Sequence, residues 1–435
     1  MSTEDKMTID ERRKYLRRVK TRYEQAGRKE RGRLLDEMEA VTELHRKSLI
    51  RLMNGSLERK PRRRQRSRTY GPEVDDALRV ISESLDHICA ERITPNLAWM
   101  ATHLNAHGEL MISPLLLEQL GSISVSTVGR ILTRVTQDEP RLPRKGPRRA
   151  NRVTRDVPMK RIPWDEQEPG HFEGDLVHHC GPSASGEYMC TLQIIDVTTG
   201  WSERRAVLGR SYLVMEDAFR CIMAHLPFPV LELHPDNGSE FFNHHMLRFW
   251  KELVQGVQLS RSRPYHKNDN RIVEQKNSTL VRAYLGHDRL DTVAQTLALN
   301  RLYDKMWLYY NFFQPVMRLM EKTWIREEGQ HARVKRRYDQ ARPPFDRLCA
   351  TPAIIQEDQE QLEALRDRTN PRQLRQEIYD AIDHVFSLPG AVPGITEDVY
   401  QTLSSRSGSG KGMLTFSFNR TVILEQLRTS RPTQP

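Results

Sequence analysis

Residues 171–209 read HFEGDLVHHCGPSASGEYMCTLQIIDVTTGWSERRAVLG, and this stretch decides the fold class. It contains three short segments rich in β-branched and aromatic residues: HFEGDLVHHC, YMCTLQIIDV and WSERRAVLG. The turn-forming segments GPSASGE and TTG join them. The pattern predicts an antiparallel meander of three strands.

The residues after the meander alternate between helix and strand patterns. SYLVMEDAFRCIMAHL predicts a helix, PVLELHPD a strand, SEFFNHHMLRFWKELV a helix, VQLSRSRP a strand and RIVEQKNSTLVRAYLG a helix. Three antiparallel strands followed by this alternation predict an α/β domain with a mixed sheet. Helical patterns lie on both sides of it, so we expect a multidomain protein with all-α modules first and a mainly helical C-terminal region.

Length and composition narrow the class of protein. A chain of 435 residues indicates two to four domains of about 100–200 residues each. No segment approaches the roughly 18–20 apolar residues of a membrane span, and the charged N-terminus MSTEDKMTIDERRKYLRRVK has no apolar signal segment. Five scattered cysteines do not suggest a disulfide framework. We therefore expect a cytoplasmic protein with no membrane partner.

The net charge of +11 is concentrated at the N-terminus. Residues 1–70 hold 22 Lys and Arg against 11 Asp and Glu, which accounts for the whole excess. A second basic segment, residues 141–161, carries nine Lys and Arg against Asp156 alone and is interrupted by three prolines. Proline and like-charge repulsion favour an extended linker, which spans roughly 65–75 Å at about 3.1–3.6 Å per residue. Both segments suit a polyphosphate partner, and Arg144, Lys145, Arg148 and Arg149 are its predicted contacts in the linker.

Two N-terminal segments have the pattern of a helix-turn-helix. In the first, apolar residues at helical spacing would line the inside: Leu34, Leu35, Met38, Val41, Leu49, Ile50 and Met53. Arg46, Lys47 and Arg51 would then face DNA. Residues 72–137 contain four more helical patterns, and the last, VSTVGRILTRV, carries Arg130 and Arg134. Small helical bundles without a DNA role look similar, so that alternative stays open on these patterns alone.

Three acidic residues stand out by their positions. Asp175 lies within the first predicted strand, Asp236 ends the fourth in HPDNGSEF, and Glu274 lies one turn into the helix RIVEQKN. A carboxylate within an apolar strand is costly unless it is paired or binds a cation. Mg²⁺ prefers a few carboxylates with substrate phosphate oxygens, and two such ions can clamp a phosphoryl transfer.

These motifs resemble the Asp-Asp-Glu core of retroviral-integrase-like transposases of bacterial insertion sequences. GDL at Asp175, HPDNGSEFF at Asp236 and RPYHKNDNRIVEQKN at Glu274 carry the resemblance, with 60 and 37 residues between the three acids. It covers residues 165–290 best, and YYNFFQP, with Asn311, is similar to a region that follows the core. The resemblance implies a ribonuclease-H-like fold, a catalytic triad that holds two Mg²⁺ or Mn²⁺ ions, and a bacterial, nucleoid-associated protein.

The chain departs from the family pattern near the glutamate. Where many members have a glycine, it has Asn270 and Arg271, and where retroviral integrases have two DNA-binding lysines it has Ser278 and Val281. At 100° per residue Arg271 and Arg282 lie on one side of the helix with Glu274, so they can supply the phosphate contacts instead.

Other polar residues near the predicted strands are interpreted as support. His234 and Asn237 flank Asp236 and are predicted to orient it or to contact DNA. Asp196, in IIDVTTGW, is predicted to form a turn rather than to bind metal. His178 and His179 alternate across a strand, which disfavours a zinc site.

The patterns of charge, helix and strand along the chain divide it into six predicted regions. They are a basic helix-turn-helix region (1–70), a second helical domain (71–140), the linker (141–164), the catalytic core (165–290), a helical extension (291–350), and C-terminal helices with a flexible tail (351–435).

The leading interpretation is a transposase that binds its element's terminal repeats, cleaves the 3′ ends by hydrolysis and joins them to target DNA by transesterification. Its partners would be double-stranded DNA and further copies of itself, with no small-molecule substrate. Two alternatives are a catalytically inactive, sequence-specific DNA-binding protein and a ribonuclease-H-like nuclease. The intact acidic triad disfavours the first, and the two modules for duplex DNA disfavour the second.

Overall fold

In the computed structural model, the described residues are 7–58, 70–135, 166–235, 241, 246, 248–250, 256–262, 270–325 and 333–404. The chain divides into two compact units, Met1–Thr69 and Tyr70–Pro435.

The described part of the first unit, residues 7–58, contains three helices: α1 (Ile9–Gln25), α2 (Arg28–Thr42) and α3 (Arg46–Met53). Helix α1 begins at a capping box in which Thr8 and Glu11 exchange hydrogen bonds. The unit buries one apolar cluster: Leu16, Val19, Tyr23, Leu34, Leu35, Met38, Leu49, Met53 and Leu57. The two helices predicted between Lys29 and Asn54 are confirmed as α2 and α3. Helix α1, which was not predicted, shares their apolar cluster.

Two residues of the predicted helix-turn-helix lining are not buried. Val41 is 42% exposed and Ile50 is 38% exposed. Met38 and Leu49, on the same two helices, are fully buried instead and share the apolar cluster with residues of α1.

The second unit starts with helices: α4 (Pro72–Ser84), α5 (Ala90–Ile93), α6 (Leu97–Ala106), α7 (Pro114–Ser122) and α8 (Val125–Val135). The four predicted helical patterns are therefore confirmed. Their apolar residues belong to the same buried cluster as the sheet that follows. Asp86, just after α4, accepts hydrogen bonds from the hydroxyls of Tyr284 and Tyr379 at 2.7 Å each, which ties this helical part to later elements.

The central sheet has five strands: β1 (His171–His178), β2 (Met189–Asp196), β3 (Ser202–Leu208), β4 (Glu232–Pro235) and β5 (Gln258–Leu259). Their order is β3-β2-β1-β4-β5. The first three strands pair antiparallel, and β4 and β5 add in parallel beyond β1. The predicted meander and mixed sheet are confirmed.

Helices flank this sheet: α9 (Tyr212–His225), α10 (Arg271–Lys276), α11 (Ala283–Leu285) and α12 (Val293–Phe313). Between α10 and α11 the helix continues as a π-helical segment, Asn277–Arg282. Such segments are rare and often occur at functional sites.

Helix α12 lies along the free edge of β3. The amide of Asn300 donates to the Ala206 carbonyl at 3.0 Å and accepts from the Ala206 N–H at 2.8 Å. Asn311 forms the same pair with Ser202, at 3.1 and 2.9 Å. Both amides thus take the place of a neighbouring strand and satisfy backbone groups that an edge strand leaves open.

The helical extension predicted for 291–350 is wrong in its second half. After α12, β6 (Leu319–Ile325) and β7 (Arg333–Tyr338) pair antiparallel. Gln314 and Pro315 end the helix, and the β-branched and aromatic residues of LMEKTWI and RVKRRY favour strands. Helix α13 (Pro344–Cys349) follows.

The two predicted C-terminal helices are confirmed as α14 (Gln356–Asp367) and α15 (Pro371–Ser387). Lys305 of α12 forms a 2.7 Å ion pair with Glu377 of α15, so this helix packs on its own chain. Residues 389–404 also lie on the core, where Ser404 hydrogen-bonds Asp217. The rest of the predicted tail lies outside the described residues. Among the described helices, none combines the length and apolar character that crossing a bilayer requires.

Candidate active site

Asp175 lies in β1 with its carboxylate half-buried on one face of the sheet. One oxygen accepts from the backbone N–H of Leu176 at 2.8 Å, and the other accepts from the amide of Asn277 at 2.5 Å. The Asn277 oxygen in turn accepts from Gln193 at 2.9 Å. Because Gln193 lies directly opposite Asp175 in the β1–β2 register, the three side chains form a hydrogen-bonded chain on one face.

Glu274 lies in the first turn of α10 and is exposed. Asn277 follows three residues later, and residues three apart lie on the same side of a helix. The hydrogen bond from Asn277 to Asp175 therefore turns the Glu274 side of the helix toward β1. The structure brings together the strand and the helix that carry two of the three predicted catalytic acids.

Glu173 holds the start of that helix. Its carboxylate is fully buried and accepts from the backbone N–H groups of Ile272 and Val273 at 2.7 and 3.0 Å. These groups lack partners inside a helix, and a negative charge there is favourable. Burial raises the pKa of Glu173 to about 7, opposed by the Val273 hydrogen bond and by the charge of Arg271.

The third predicted acid, Asp236, lies outside the described residues, as does Asn237. Strand β4 ends one residue earlier, at Pro235, which pairs with Gly174 of β1. His234, predicted as a support residue, is fully buried. Its Nδ1 lies 2.7 Å from the hydroxyl of Ser260, which also donates to Glu232 at 2.5 Å. His234 is thus positioned by a polar network, and its role near Asp236 stays a prediction.

The donor set fits a hard divalent cation. Asp175 and Glu274 offer carboxylate oxygens that solvent reaches, whereas the buried Glu173 is occupied with backbone groups. Oxygen ligands of this kind suit Mg²⁺ or Mn²⁺. Within the described ranges, which omit Asp236, no three His, Cys, Asp or Glu side chains are grouped as metal ligands. The metal site therefore stays a prediction.

The two arginines predicted to contact phosphate from this helix have different surroundings. Arg271 is half-buried, and its charge acts on Glu173. Arg282 donates to the carbonyls of His178 and Gly286 at 2.6 and 3.1 Å. The uniform 100° step used to place Arg282 does not hold beyond Lys276, because the π-helical segment intervenes.

The predicted DNA contacts of the helical regions also differ among themselves. Lys47 and Arg51 are exposed on α3, whereas Arg46 forms an ion pair with Asp36. On α8, Arg134 forms a 2.6 Å ion pair with Asp75. Arg130 donates to the carbonyl of Ser126 and the hydroxyl of Thr127 on its own helix. The linker contacts Arg144, Lys145, Arg148 and Arg149 lie outside the described residues.

Asp196 has the predicted turn role. One carboxylate oxygen accepts from the N–H and hydroxyl of Thr199 at 2.7 and 2.6 Å, and the other accepts from the N–H of Gly170 at 2.8 Å. This is an Asx-type turn, and the prediction is confirmed.

Sequence reasoning missed Glu173, Gln193 and Asn277. Asn277 carried a signal, since it lies three residues after Glu274 in a helical pattern. Gln193 follows only from the strand register. Sequence reasoning also missed a buried cation on the Asp175 face of the sheet. Arg204 lies 5.7 Å from the ring centre of Tyr303 and 5.9 Å from that of Tyr310.

The fold and the site define an α/β protein with a five-stranded mixed sheet. No family model matches the chain. The uncharacterized protein y4rM of Sinorhizobium fredii (strain NBRC 101917 / NGR234) is 37% identical over 331 residues, which are 75% of this chain and 91% of that protein. This chain belongs to the family of that Sinorhizobium fredii protein.

Two solved structures resemble parts of the chain. The catalytic core domain of BIV integrase is 19% identical, covers 33% of this chain and 84% of its own, and has a TM-score of 0.23. The simian T-cell lymphotropic virus intasome in complex with the PP2A regulatory subunit B56 gamma is 15% identical, with a TM-score of 0.25. That match covers 43% of this chain and 59% of the other.

Proposed function

We propose that the chain is a divalent-metal-dependent DNA transposase. It binds the terminal repeats of its own element, cleaves the 3′ ends by hydrolysis and joins them to target DNA by transesterification. The observation that supports this most directly is the hydrogen bond from Asn277 to Asp175. It draws the helix of Glu274 against the strand of Asp175, as a shared carboxylate site requires.

The catalytic residues are Asp175, Asp236 and Glu274, which would hold two Mg²⁺ or Mn²⁺ ions. Ions held in this way polarise a phosphodiester and lower the pKa of a water or hydroxyl nucleophile. The chain's own residues prepare the ligands. Asn277 orients the Asp175 carboxylate, and Gln193 fixes the Asn277 amide. Such outer hydrogen bonds limit the freedom of metal-binding carboxylates.

In this proposal the basic regions of the chain bind duplex DNA. Lys47 and Arg51 on α3 are exposed and positively charged, and the linker Arg141–Arg161 adds further charge. A mobile element has two ends and one triad serves one scissile phosphate at a time. We therefore propose a multimer on paired ends, in which each core acts on its partner's DNA end.

A strand-transfer assay with the full chain and duplexes of the element's ends tests the function. We expect cleavage and joining with Mg²⁺ or Mn²⁺, and neither reaction with EDTA. Glu187, an exposed acid in the β1–β2 connection, supplies the control variant Glu187→Gln, which should stay active. Specific end binding without metal-dependent joining would favour the inactive DNA-binding protein, and cleavage restricted to RNA or branched DNA would favour the nuclease.

A further inference from the structure

Arg204 of β3 is a buried cation with unsatisfied donors. Only 7% of the residue is exposed. Among the described residues, none accepts a hydrogen bond from its Nε or its two terminal nitrogens. Its neighbour Glu203 points to the opposite face, where it accepts from the indole N–H groups of Trp201 and Trp307. The guanidinium lies instead between the rings of Tyr303 and Tyr310.

A second cation shares one of these rings. The ammonium of Lys276 lies 4.9 Å from the ring centre of Tyr310. The Tyr310 hydroxyl is buried and has no hydrogen-bond partner in the part of the chain that the structure describes. Lys276 and the nearby Arg92 are only half-buried, so the cluster reaches the surface through them.

This arrangement is costly for the protein alone. Cation–π contacts with tyrosine recover part of the lost hydration of a guanidinium, but they leave its N–H groups without acceptors. A buried charge is normally retained only where it is paired. An arriving anion would satisfy the Arg204 donors, the Lys276 ammonium and the Tyr310 hydroxyl together.

The register places this cluster on the face of the candidate active site. Asp175 pairs with Gln193, and Gln193 pairs with Arg204, so the three side chains share one face of the sheet. Two strand spacings of about 4.8 Å put the backbone of Arg204 roughly 10 Å from that of Asp175. Along one DNA strand, that distance corresponds to about three nucleotides of axial rise.

We propose that Arg204, Lys276 and Tyr310 form a binding site for a phosphate group of DNA, a few nucleotides from the bond that is cut. The assignment of the phosphate to DNA rests on the proposed function, whereas the anion site itself does not. Planar guanidinium groups are well suited to phosphate.

Thermal unfolding of the full chain with inorganic phosphate, against sodium chloride at equal ionic strength, tests the anion site. We expect phosphate to raise the Tm of the wild type. Arg204→Met and Lys276→Met should each weaken apparent phosphate affinity about tenfold or more. Arg205→Met is the matched control, since Arg205 is the next residue of β3 and faces the other way, and it should keep the wild-type shift. No phosphate shift in the wild type, or an undiminished shift in both folded Met variants, would overturn the proposal.

A DNA-binding measurement distinguishes a phosphate group of DNA from free phosphate as the ligand of this site. For duplex binding, Arg204→Met should reduce the slope of log K against log salt by about 0.9, the value for one neutralised phosphate. An unchanged slope would overturn the assignment to DNA. Asp175→Asn should keep the phosphate-induced shift. Absence of strand transfer in a wild type that still responds to phosphate would therefore contradict only the proposed function. Absence of the phosphate response in the wild type would contradict only this site.

Discussion

The carboxylate of Glu173 accepts a hydrogen bond from the backbone N–H of Val273 at 3.0 Å. Through this bond the strand that carries Asp175 holds the first turn of the helix that carries Glu274. The two predicted catalytic acids are therefore positioned by a third carboxylate that is not itself a predicted metal ligand.

Removing this helix cap should destabilise the protein. Glu173→Ala leaves the N–H groups of Ile272 and Val273 without their acceptor, at a cost of about 1–3 kcal/mol in the free energy of unfolding. Glu173→Gln keeps an acceptor oxygen and should lose less. Urea unfolding of both variants measures the difference. Equal stability of the Ala and Gln variants would contradict the capping role.

Replacing any predicted catalytic acid should abolish chemistry but not binding. Asp175→Asn, Asp236→Asn and Glu274→Gln each remove a metal ligand while keeping side-chain size, so cleavage and joining should fall to background. End binding in a gel-shift assay should stay close to that of the wild type, because the basic helices are untouched. A variant that retains more than residual joining removes its residue from the site.

The exposed cations of α3 should carry part of the duplex affinity. Lys47→Ala with Arg51→Ala should lower the salt dependence, and the slope should change by about 0.9 for each phosphate that is no longer neutralised. Arg301→Ala, an exposed cation on α12, is the control and should leave the slope unchanged. Titration at several salt concentrations checks this, and equal slopes for all three proteins would exclude α3 from the interface.

The buried pair of His225 and Glu203 should make stability depend on pH. Burial alone lowers the pKa of His225, but the charge of Glu203 and their 2.9 Å hydrogen bond raise it overall above 6.5. The stabilisation is therefore complete below about 6.5, the unfolded value, and is lost as pH rises through the higher folded pKa. Replacing His225 by Gln should flatten that part of the profile of unfolding free energy. A parallel profile for the variant would contradict the assignment.

Joining is expected to occur in trans. We predict a protein that is monomeric or weakly dimeric when free and an ordered multimer on paired ends. A mixture of an Asp236→Asn chain with a Lys47→Ala, Arg51→Ala chain, which keeps its triad but binds the ends more weakly, should join more ends than either protein alone. If the mixture stays inactive while each protein is folded, each core acts on the end bound by its own chain.

The sheet was predictable because its strands have local signals. Segments such as YMCTLQIIDV alternate with turn residues, and helices of 14 and 21 residues in α9 and α12 leave clear patterns. The hairpin at 319–338 was missed because the aromatic run before it reads as continuous helix. Helix α1 had a signal in Leu16, Val19 and Tyr23 that its high charge obscured.

The candidate site was only partly predictable. The position of Asp175 in an apolar strand makes it predictable, yet Glu173 lies in the same strand and its role is not. The two carboxylates differ in their hydrogen-bond partners. Glu173 accepts from the N–H of Ile272, which lies 99 residues later in the chain, so the sequence near Glu173 does not reveal this role. Nothing in the sequence around Arg204 distinguishes it from an ordinary charged residue of a strand, because its burial depends on Tyr303 and Tyr310 of a distant helix.

The two asparagine amides on α12 have a consequence for how copies of this chain can meet. Because Asn300 and Asn311 already bind the outer backbone of β3, a second subunit cannot extend the sheet there by adding a strand. The opposite boundary, β5, offers only two residues. Strand addition by a second subunit is therefore blocked at the β3 edge of the five-stranded sheet, and contact between copies across that edge must use side-chain surfaces or the DNA itself.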